Sequence, residues 1–195
     1  MYKNYLKPLT DWIIALIAFV ALIPVFLIVA FAIKIDSTGP VFFKQNRLGR
    51  DGRVFKIVKF RSMSIDHKGD KEHKLLRNDP RITRVGGFIR KTSIDELPQV
   101  INILKGEMSF IGPRPPVTTY PKRYEEYSEF EKQRFLVKPG IGGLAQVRCR
   151  EIHDWDINIP IDVEYVMNLS FKNDLKLFLL SLTAFLKTDN IYRKE

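Results

Sequence analysis

The stretch WIIALIAFVALIPVFLIVAFAI, residues 12–33, contains 22 consecutive residues without a charge. A helix that crosses a bilayer needs about 20 apolar residues, so the simplest interpretation is one spanning helix. Pro24 lies in the middle of the run, where proline removes a backbone donor and favours a kink. Lysines flank the run on both sides, at Lys3, Lys7, Lys34 and Lys44. Because positive charge favours the cytoplasmic side, a bent, re-entrant helix with both ends in the cytoplasm is the second interpretation.

The composition limits what the rest of the chain can be. The 195 residues include 32 Lys plus Arg against 22 Asp plus Glu, a net charge of +10, which predicts an anionic partner such as acidic lipid, a phosphorylated small molecule or nucleic acid. Nucleic acid is disfavoured, because the basic residues are spread out and no known motif accompanies them. The single cysteine, Cys149, excludes an internal disulfide. We expect a membrane anchor over residues 1–36 and one folded domain over 37–195.

Residues 37–195 predict an α+β domain that is mainly helical. Two runs rich in Val, Ile and Phe, residues 41–47 and 54–61, predict a small β-hairpin with Asp51-Gly52 in its turn. Residues 82–104 predict helix with a restart at Ser93, where Ser93 and Glu96 match a capping box. Further helices are predicted at 122–137, 162–168 and 174–187, and loops at 110–116 and 138–143. The last helix is amphipathic and basic, so it either faces the core or lies on a membrane surface. The charged stretch 64–81 is a solvated loop or a mobile lid.

Asp95 and Glu96 are the first candidates for chemistry. Two carboxylates at a helix start can complement the helix dipole and close a capping box. Alternatively, an aspartate here is a nucleophile that attacks phosphorus, with a divalent cation offsetting the repulsion between the carboxylates. Cationic side chains suited to a phosphate clamp are Lys59, Arg61, Arg90 and Arg114. Walker A and G-x-G-x-x-G sequences are absent, so P-loop and Rossmann nucleotide binding are unsupported.

Three segments carry a family resemblance. KFRSM at 59–63, RKTSIDELPQVINILKGEMSFIGPRP at 90–115 and KPGIGGLAQV at 138–147 occur in the order and spacing of the bacterial sugar transferases. The chain resembles the small monotopic phosphoglycosyl transferases that start polyprenyl-linked glycan assembly, and the resemblance covers nearly its whole length. The fold it implies is a re-entrant membrane helix, a small hairpin and interfacial amphipathic helices around a cytosolic catalytic domain.

The resemblance implies a reaction and its residues. The family's Asp-Glu dyad falls on Asp95 and Glu96. Its aspartate attacks the β-phosphate of a UDP-sugar, releases UMP and holds the sugar phosphate until undecaprenyl phosphate accepts it. Magnesium is required, and we expect Asp95 to contact it. The expected substrate-binding residues are Lys59, Arg61, Arg90, Arg114 and Gln146.

The resemblance also implies a location and leaves some points open. The family's helix is broken at a Ser-Pro pair, for which this chain has Ile23-Pro24; this favours the re-entrant form, on the cytoplasmic face of the bacterial inner membrane. Membrane lipids are then expected partners, and a homodimer is left open. Gly142 stands where Thr is common, and residues 148–150 replace the usual G-R-N, which leaves the sugar undetermined. The alternative function is a non-catalytic, membrane-anchored protein that binds anionic lipid.

Overall fold

The computed structural model describes residues 1–64, 79–149 and 154–186, with side chains described as far as residue 182. The expected loop or lid at 64–81 therefore falls almost entirely outside the described residues. The helices are α1 (Lys7–Asp36), α2 (Arg84–Lys91), α3 (Val100–Leu104), α4 (Glu129–Lys132), α5 (Leu144–Arg148), α6 (Trp155–Met167) and α7 (Phe171–Leu186). The strands are β1 (Phe42–Leu48), β2 (Val54–Phe60), β3 (Ser109–Ile111) and β4 (Gly140–Gly142). This confirms a mainly helical α+β fold.

Helix α1 carries the apolar run and continues through Pro24. Its 30 residues extend about 45 Å at 1.5 Å per residue, and it is long and apolar enough to cross a membrane. Its buried residues are Lys7, Asp11, Ala15, Val29 and Ile33. These share one face, since they recur at about every fourth position. The other faces expose large apolar side chains, among them Ile17, Val20, Leu27, Ile28, Phe31 and Ile35.

Both halves of α1 pack against the same domain. Ala15, in the first half, lies in a core cluster with Ile57 and Ile103. Ile33, in the second half, packs in a cluster with Phe60 and Ile89. Burying apolar side chains stabilises such contacts by about 25 cal/mol per Å². The helix is therefore attached along the domain rather than at one end.

A buried polar cluster attaches the N-terminal end of α1; we call Lys7, Asp11, Ser109, Tyr165 and Asp174 the N-terminal clasp. Lys7 Nζ donates to Asp174 Oδ2 at 2.7 Å, and the Tyr165 hydroxyl donates to Asp174 Oδ1 at 2.8 Å. The Ser109 hydroxyl donates to Asp11 Oδ2 at 2.7 Å. Buried charges of this kind need partners to offset their desolvation. The clasp thus joins α1 to β3, α6 and α7.

The expected hairpin is confirmed. Strands β1 and β2 pair antiparallel, with Phe42 opposite Phe60 and Leu48 opposite Val54. Asp51 and Gly52 in the turn have φ of 55° and 73°, a conformation that Gly, Asn and Asp tolerate better than other residues. Strand β2 also packs against the helical segment that carries Asp95 and Glu96.

Asn102 is the link between β2 and α3. Its side chain is fully buried; Oδ1 accepts from the Val58 amide at 3.0 Å and Nδ2 donates to the Lys56 carbonyl at 2.8 Å. A single amide side chain thereby satisfies two backbone groups of β2. It fixes the helical segment that carries Asp95 against the hairpin.

The prediction of loops at 110–116 and 138–143 is wrong in part. Ser109 pairs with Gly140 and Ile111 with Gly142 in a two-stranded parallel sheet. A Cβ at Gly140 would lie 2.1 Å from the Gly112 amide nitrogen, so the close approach requires glycine. Strands this short and glycine-rich lack the β-branched residues by which strands are recognised.

Other predicted elements need correction. Residues 82–104 form α2, a 3₁₀ helix over Ile94–Gln99 and α3, so the restart is confirmed. The capping box is wrong, because Ser93 makes no side-chain cap bond and has φ of 56°. Residues 122–137 form three short helical segments instead of one helix, and the helix predicted at 162–168 begins at Trp155. Helix α7 agrees with the prediction.

We expect Gly86→Ala to destabilise the fold. Gly86 lies in α2, and a Cβ there would lie 2.0 Å from the Ser62 carbonyl oxygen, so α2 must move away from the end of β2. Such overpacking costs about 1–3 kcal/mol or more. Gly87→Ala is the matched control, because the nearest atom would be 3.8 Å away; it should be neutral or stabilise α2 by up to about 1 kcal/mol. Thermal unfolding in detergent measures both, and equal midpoints would contradict the prediction.

Candidate active site

Asp95 and Glu96 lie on the 3₁₀ helix Ile94–Gln99, which packs against β2. Ser93, in the left-handed conformation, ends the preceding turn and redirects the chain into this helix. Asp95 is buried, with 9% of its surface exposed. Glu96 forms an ion pair with Lys59 of β2, and 18% of its side chain is exposed. The two carboxylates therefore occupy different surroundings although they are adjacent in sequence.

These surroundings separate the two pKa values. Burial raises the pKa of Asp95 to about 6; the Glu96 charge adds to the rise, and the charges of Lys59, Arg90 and Arg114 oppose it. Burial alone would also raise the pKa of Glu96, but Lys59 and Arg114 hold it well below its usual range. Glu96 is therefore a fixed anion at neutral pH. A pair of carboxylates with separated pKa values is typical of sites that divide two roles.

Asp95 is the carboxylate of the pair that has no hydrogen-bonded side-chain partner among the described residues. Across the described ranges, no side chain donates a hydrogen bond to it, whereas Glu96 is held by Lys59. Arg90 and Arg114 are close enough for their charges to act on Asp95. The structure thus brings together five of the predicted site residues: Lys59, Arg90, Asp95, Glu96 and Arg114. The arrangement places a carboxylate without a hydrogen-bond donor beside cationic groups that suit phosphate oxygens.

Arg61 is placed elsewhere. It is 4% exposed, and its guanidinium donates to the Thr38 carbonyl and, at 2.8 Å, to the Ser37 carbonyl. These are carbonyls just beyond the end of α1, where a cation is favourable. Arg61 therefore attaches the C-terminal end of α1, as the clasp attaches the other end.

Gln146 lies on α5. Its Nε2 donates to the Ile141 carbonyl at 2.8 Å, and its Oε1 is buried without a partner in the part of the chain that the structure describes. The side chain supports the segment that contains Gly142. Among the described contacts, none joins Gln146 to Asp95 or Glu96.

Sequence reasoning missed Arg47. This β1 residue donates from Nη1 to the Pro115 carbonyl at 3.0 Å and from Nη2 to Gln45 Oε1 at 2.8 Å. Burial lowers its pKa to about 10, helped by the charge of Arg114 and opposed by that of Glu96. Arg47 is therefore a further cation next to the site. Strand β1 also contains Lys44, Gln45 and Asn46, so no signal in the local sequence distinguishes Arg47 from its polar neighbours.

The residues present fit a magnesium ion that is shared with a substrate. In the described ranges, no group of three His, Cys, Asp or Glu side chains could hold a metal. Mg²⁺ usually binds through one or two carboxylates together with substrate phosphates. Asp95 offers such a carboxylate, while Glu96 is engaged by Lys59. The described residues therefore offer one carboxylate, Asp95, to such an ion, and substrate phosphates would have to supply further oxygen ligands.

Comparison with known proteins decides the family. Residues 2–188 match the model of a family described as bacterial sugar transferase. The chain belongs to this family. It is 46% identical over 160 residues to a galactosyl transferase of Streptococcus agalactiae, covering 76% of this chain and 35% of that protein.

Two other relatives are named for the same activity. The UDP-glucose:undecaprenyl-phosphate glucose-1-phosphate transferase of Xanthomonas campestris is 40% identical over 192 residues, which is 95% of this chain and 40% of that protein. The protein of the same name from Caulobacter vibrioides is 37% identical over 191 residues, 95% of this chain and 72% of that protein. The chain thus spans well under half the length of the Streptococcus and Xanthomonas proteins. As a bacterial sugar transferase, it matches relatives named for different sugars.

Proposed function

We propose that this sugar transferase moves a sugar 1-phosphate from a UDP-sugar to undecaprenyl phosphate through a covalent intermediate on Asp95. The observation that carries the proposal is the contrast within the dyad. Asp95 is buried, accepts no hydrogen bond from a described side chain and has a raised pKa, whereas Glu96 is paired with Lys59. Two relatives are named for transfer of glucose 1-phosphate to undecaprenyl phosphate. Carboxylates form covalent phosphoryl intermediates in other enzymes.

The reaction has two displacements at one phosphorus atom. An Asp95 carboxylate oxygen attacks the β-phosphorus of the UDP-sugar, and the bond to the bridging oxygen breaks, so that UMP leaves with the electron pair. A phosphate oxygen of undecaprenyl phosphate then attacks the same phosphorus and frees the Asp95 carboxylate. Neither displacement needs a proton if UMP leaves as the dianion. The sugar keeps its anomeric bond to oxygen throughout.

The surrounding residues offset the charge of this reaction. Arg90 and Arg114 act electrostatically on Asp95 and are placed to bind phosphate oxygens, which charge-assisted contacts favour. Lys59 holds Glu96 ionised. Magnesium, held by Asp95 and the substrate phosphates, would supply further charge stabilisation of the diphosphate.

We also propose that α1 is re-entrant and holds the domain on the cytoplasmic face of the inner membrane. Attachment of both helix ends to one domain supports this, through Lys7 at one end and Arg61 at the other. Helix α7 adds an apolar stripe: Phe171, Leu175, Leu179 and Leu182 are exposed, while Asp174 and Leu177 face inward. Such a helix suits the membrane interface. A lipid phosphate acceptor can then reach the site without leaving the bilayer.

Release of UMP tests the proposed reaction. Purified protein in detergent is given undecaprenyl phosphate, Mg²⁺ and UDP-glucose, UDP-galactose or a UDP-N-acetylhexosamine. We expect UMP and a lipid-linked sugar diphosphate from at least one donor, in equal amounts. UMP without a lipid product would contradict undecaprenyl phosphate as acceptor. Binding to anionic vesicles without any UMP would support the non-catalytic alternative.

The raised pKa of Asp95 predicts the acid limb of the pH profile. Asp95 must be ionised to attack phosphorus, so kcat/KM should fall as the pH drops through about 6. An ordinary aspartate, with pKa of about 3.9, would keep the enzyme active to about pH 4–5. Because the Lys59 charge lowers the Asp95 pKa, Lys59→Met should move the limb to higher pH. A limb that stays in place in this variant would contradict the assignment to Asp95.

A further inference from the structure

Each of the four residues from Pro113 to Pro116 accepts a hydrogen bond at its carbonyl group. The Gly140 amide donates to the Pro113 carbonyl and the Leu48 amide to the Pro116 carbonyl, each at 3.0 Å. Arg134 Nη2 donates to the Arg114 carbonyl at 2.9 Å. Arg47 Nη1 donates to the Pro115 carbonyl at 3.0 Å. Four consecutive carbonyls thus each accept one hydrogen bond from another part of the chain.

This pattern follows from the residue types. Three of the four residues are prolines, which have no amide hydrogen to donate. The segment cannot form a ladder of its own, and it must be fixed from outside. Two of the four donors are side chains rather than backbone amides. The position of Arg114 therefore depends on two arginines that are distant in sequence.

Arg134 is itself fixed by a buried ion pair. Its side chain is 0% exposed, and its Nη2 and Nε lie 2.5 and 3.2 Å from Asp162 Oδ2. Its guanidinium lies 5.2 Å from the Phe135 ring centre and 5.3 Å from that of Trp155. A planar guanidinium can serve a carboxylate and a carbonyl together, which a lysine ammonium cannot do with the same geometry. The residue is thus pre-organised to hold the Arg114 carbonyl.

Arg47 differs from a purely structural arginine in its electrostatics. Burial and the charge of Arg114 lower the pKa of the Arg47 guanidinium, and the charge of Glu96 raises it. Holding two guanidinium groups near each other is unfavourable without an anion between or beside them. A diphosphate bound by Arg114 would reduce that repulsion. Arg47 therefore combines a backbone contact with a field that favours an anionic substrate.

We propose that Arg47 and Arg134 are positioning residues that hold the Pro113–Pro116 segment so that Arg114 is aimed at the diphosphate of the sugar donor. The proposal rests on the proposed function, because it takes Arg114 to bind that donor. Neither arginine needs to touch the substrate. Their effect on the reaction passes through Arg114.

A double-mutant cycle tests this dependence. Arg134→Lys keeps the charge beside Asp162 but cannot also hold the Arg114 carbonyl. With UDP-glucose as donor, we expect its KM to rise about tenfold with kcat changed less, since small displacements of binding groups cost one to two orders of magnitude in kcat/KM. In an Arg114→Ala background, Arg134→Lys should cost less than about threefold, because coupled residues are not additive. Arg47→Lys should behave in the same way, and it tests the proposal if Arg134→Lys does not fold.

The control and the possible outcomes distinguish failure of the positioning role from failure of the proposed reaction. Lys132→Gln breaks the exposed ion pair with Glu129, two residues from Arg134, and should leave KM and kcat unchanged. Full additivity of Arg134→Lys and Arg47→Lys with Arg114→Ala would overturn the positioning role while leaving the reaction intact. An unchanged KM in Arg114→Ala itself would instead remove Arg114 as a donor-binding residue. No UMP from the wild-type protein with any donor would overturn the proposed function and this inference with it.

Discussion

Asp95→Asn should lower the rate of UMP release by at least about 10⁴-fold, as the loss of a nucleophile does in other enzymes that use covalent catalysis. The substitution keeps the size of the side chain and removes the attacking oxygen charge. Asp95 is buried with a raised pKa, so loss of its charge should not destabilise the fold, and the thermal midpoint should stay or rise. The measurement is UMP release with UDP-glucose, undecaprenyl phosphate and Mg²⁺, together with thermal unfolding in detergent.

Asp51→Asn is the matched control for this experiment. Asp51 lies in the exposed hairpin turn, with about half of its side chain accessible, and asparagine tolerates its positive φ. It changes the net charge equally and should retain activity.

Omitting undecaprenyl phosphate should trap the intermediate. Acid quenching followed by measurement of the intact mass would then show one added hexose phosphate on the wild type only. The same adduct on Asp95→Asn would exclude Asp95 as the nucleophile.

Lys7→Met should cause a large loss in the free energy of unfolding. It leaves Asp174 and Asp11 buried without their cation, and removing one partner of a buried pair costs about 3–5 kcal/mol. For a chain of this size that corresponds to a thermal midpoint lower by about 6–20 °C. Asp174→Asn should also destabilise, because the Lys7 ammonium then loses the carboxylate at 2.7 Å.

The double variant and a neighbouring lysine make the test specific. Lys7→Met with Asp174→Asn should lose less than the sum of the single losses, since each change removes the charge that the other left unpaired. Lys3→Met is the control, because Lys3 is exposed in the same N-terminal segment. Equal midpoints for Lys7→Met and Lys3→Met would show that the clasp contributes nothing to stability.

The sequence predicts the parts of this fold that depend on local patterns. The hairpin follows from two β-rich runs around Asp51-Gly52, whose positive φ values suit those residues. Helix α7 follows from apolar spacing. The parallel pair β3 and β4 could not be predicted, because it depends on close backbone contact between Gly112 and Gly140.

In the candidate site, too, the residues in a local motif can be predicted and those that act through distant contacts cannot. The dyad and Arg114 stand in a long sequence motif and are found without coordinates. Arg47 and Arg134 act on the backbone of the Arg114 segment from 68 and 20 residues away, and no local pattern encodes such contacts. The capping box failed for a related reason: Glu96 has a charged partner on β2, Lys59, and an ion pair is stronger than the cap bond that local sequence suggests.

The clasp also sets an order of events during synthesis. Lys7 lies 167 residues before Asp174, and at about 5–20 residues per second the ribosome adds Asp174 about 8–33 s after Lys7. For most of that time α1 has already been synthesised, but the Asp174 carboxylate that binds Lys7 at its N-terminal end has not. If α1 enters the bilayer as proposed, its N-terminal end is fixed to the domain through Asp174 only after most of the chain has been made. Translation speed and early stop codons would act on membrane topology as well as on the catalytic domain.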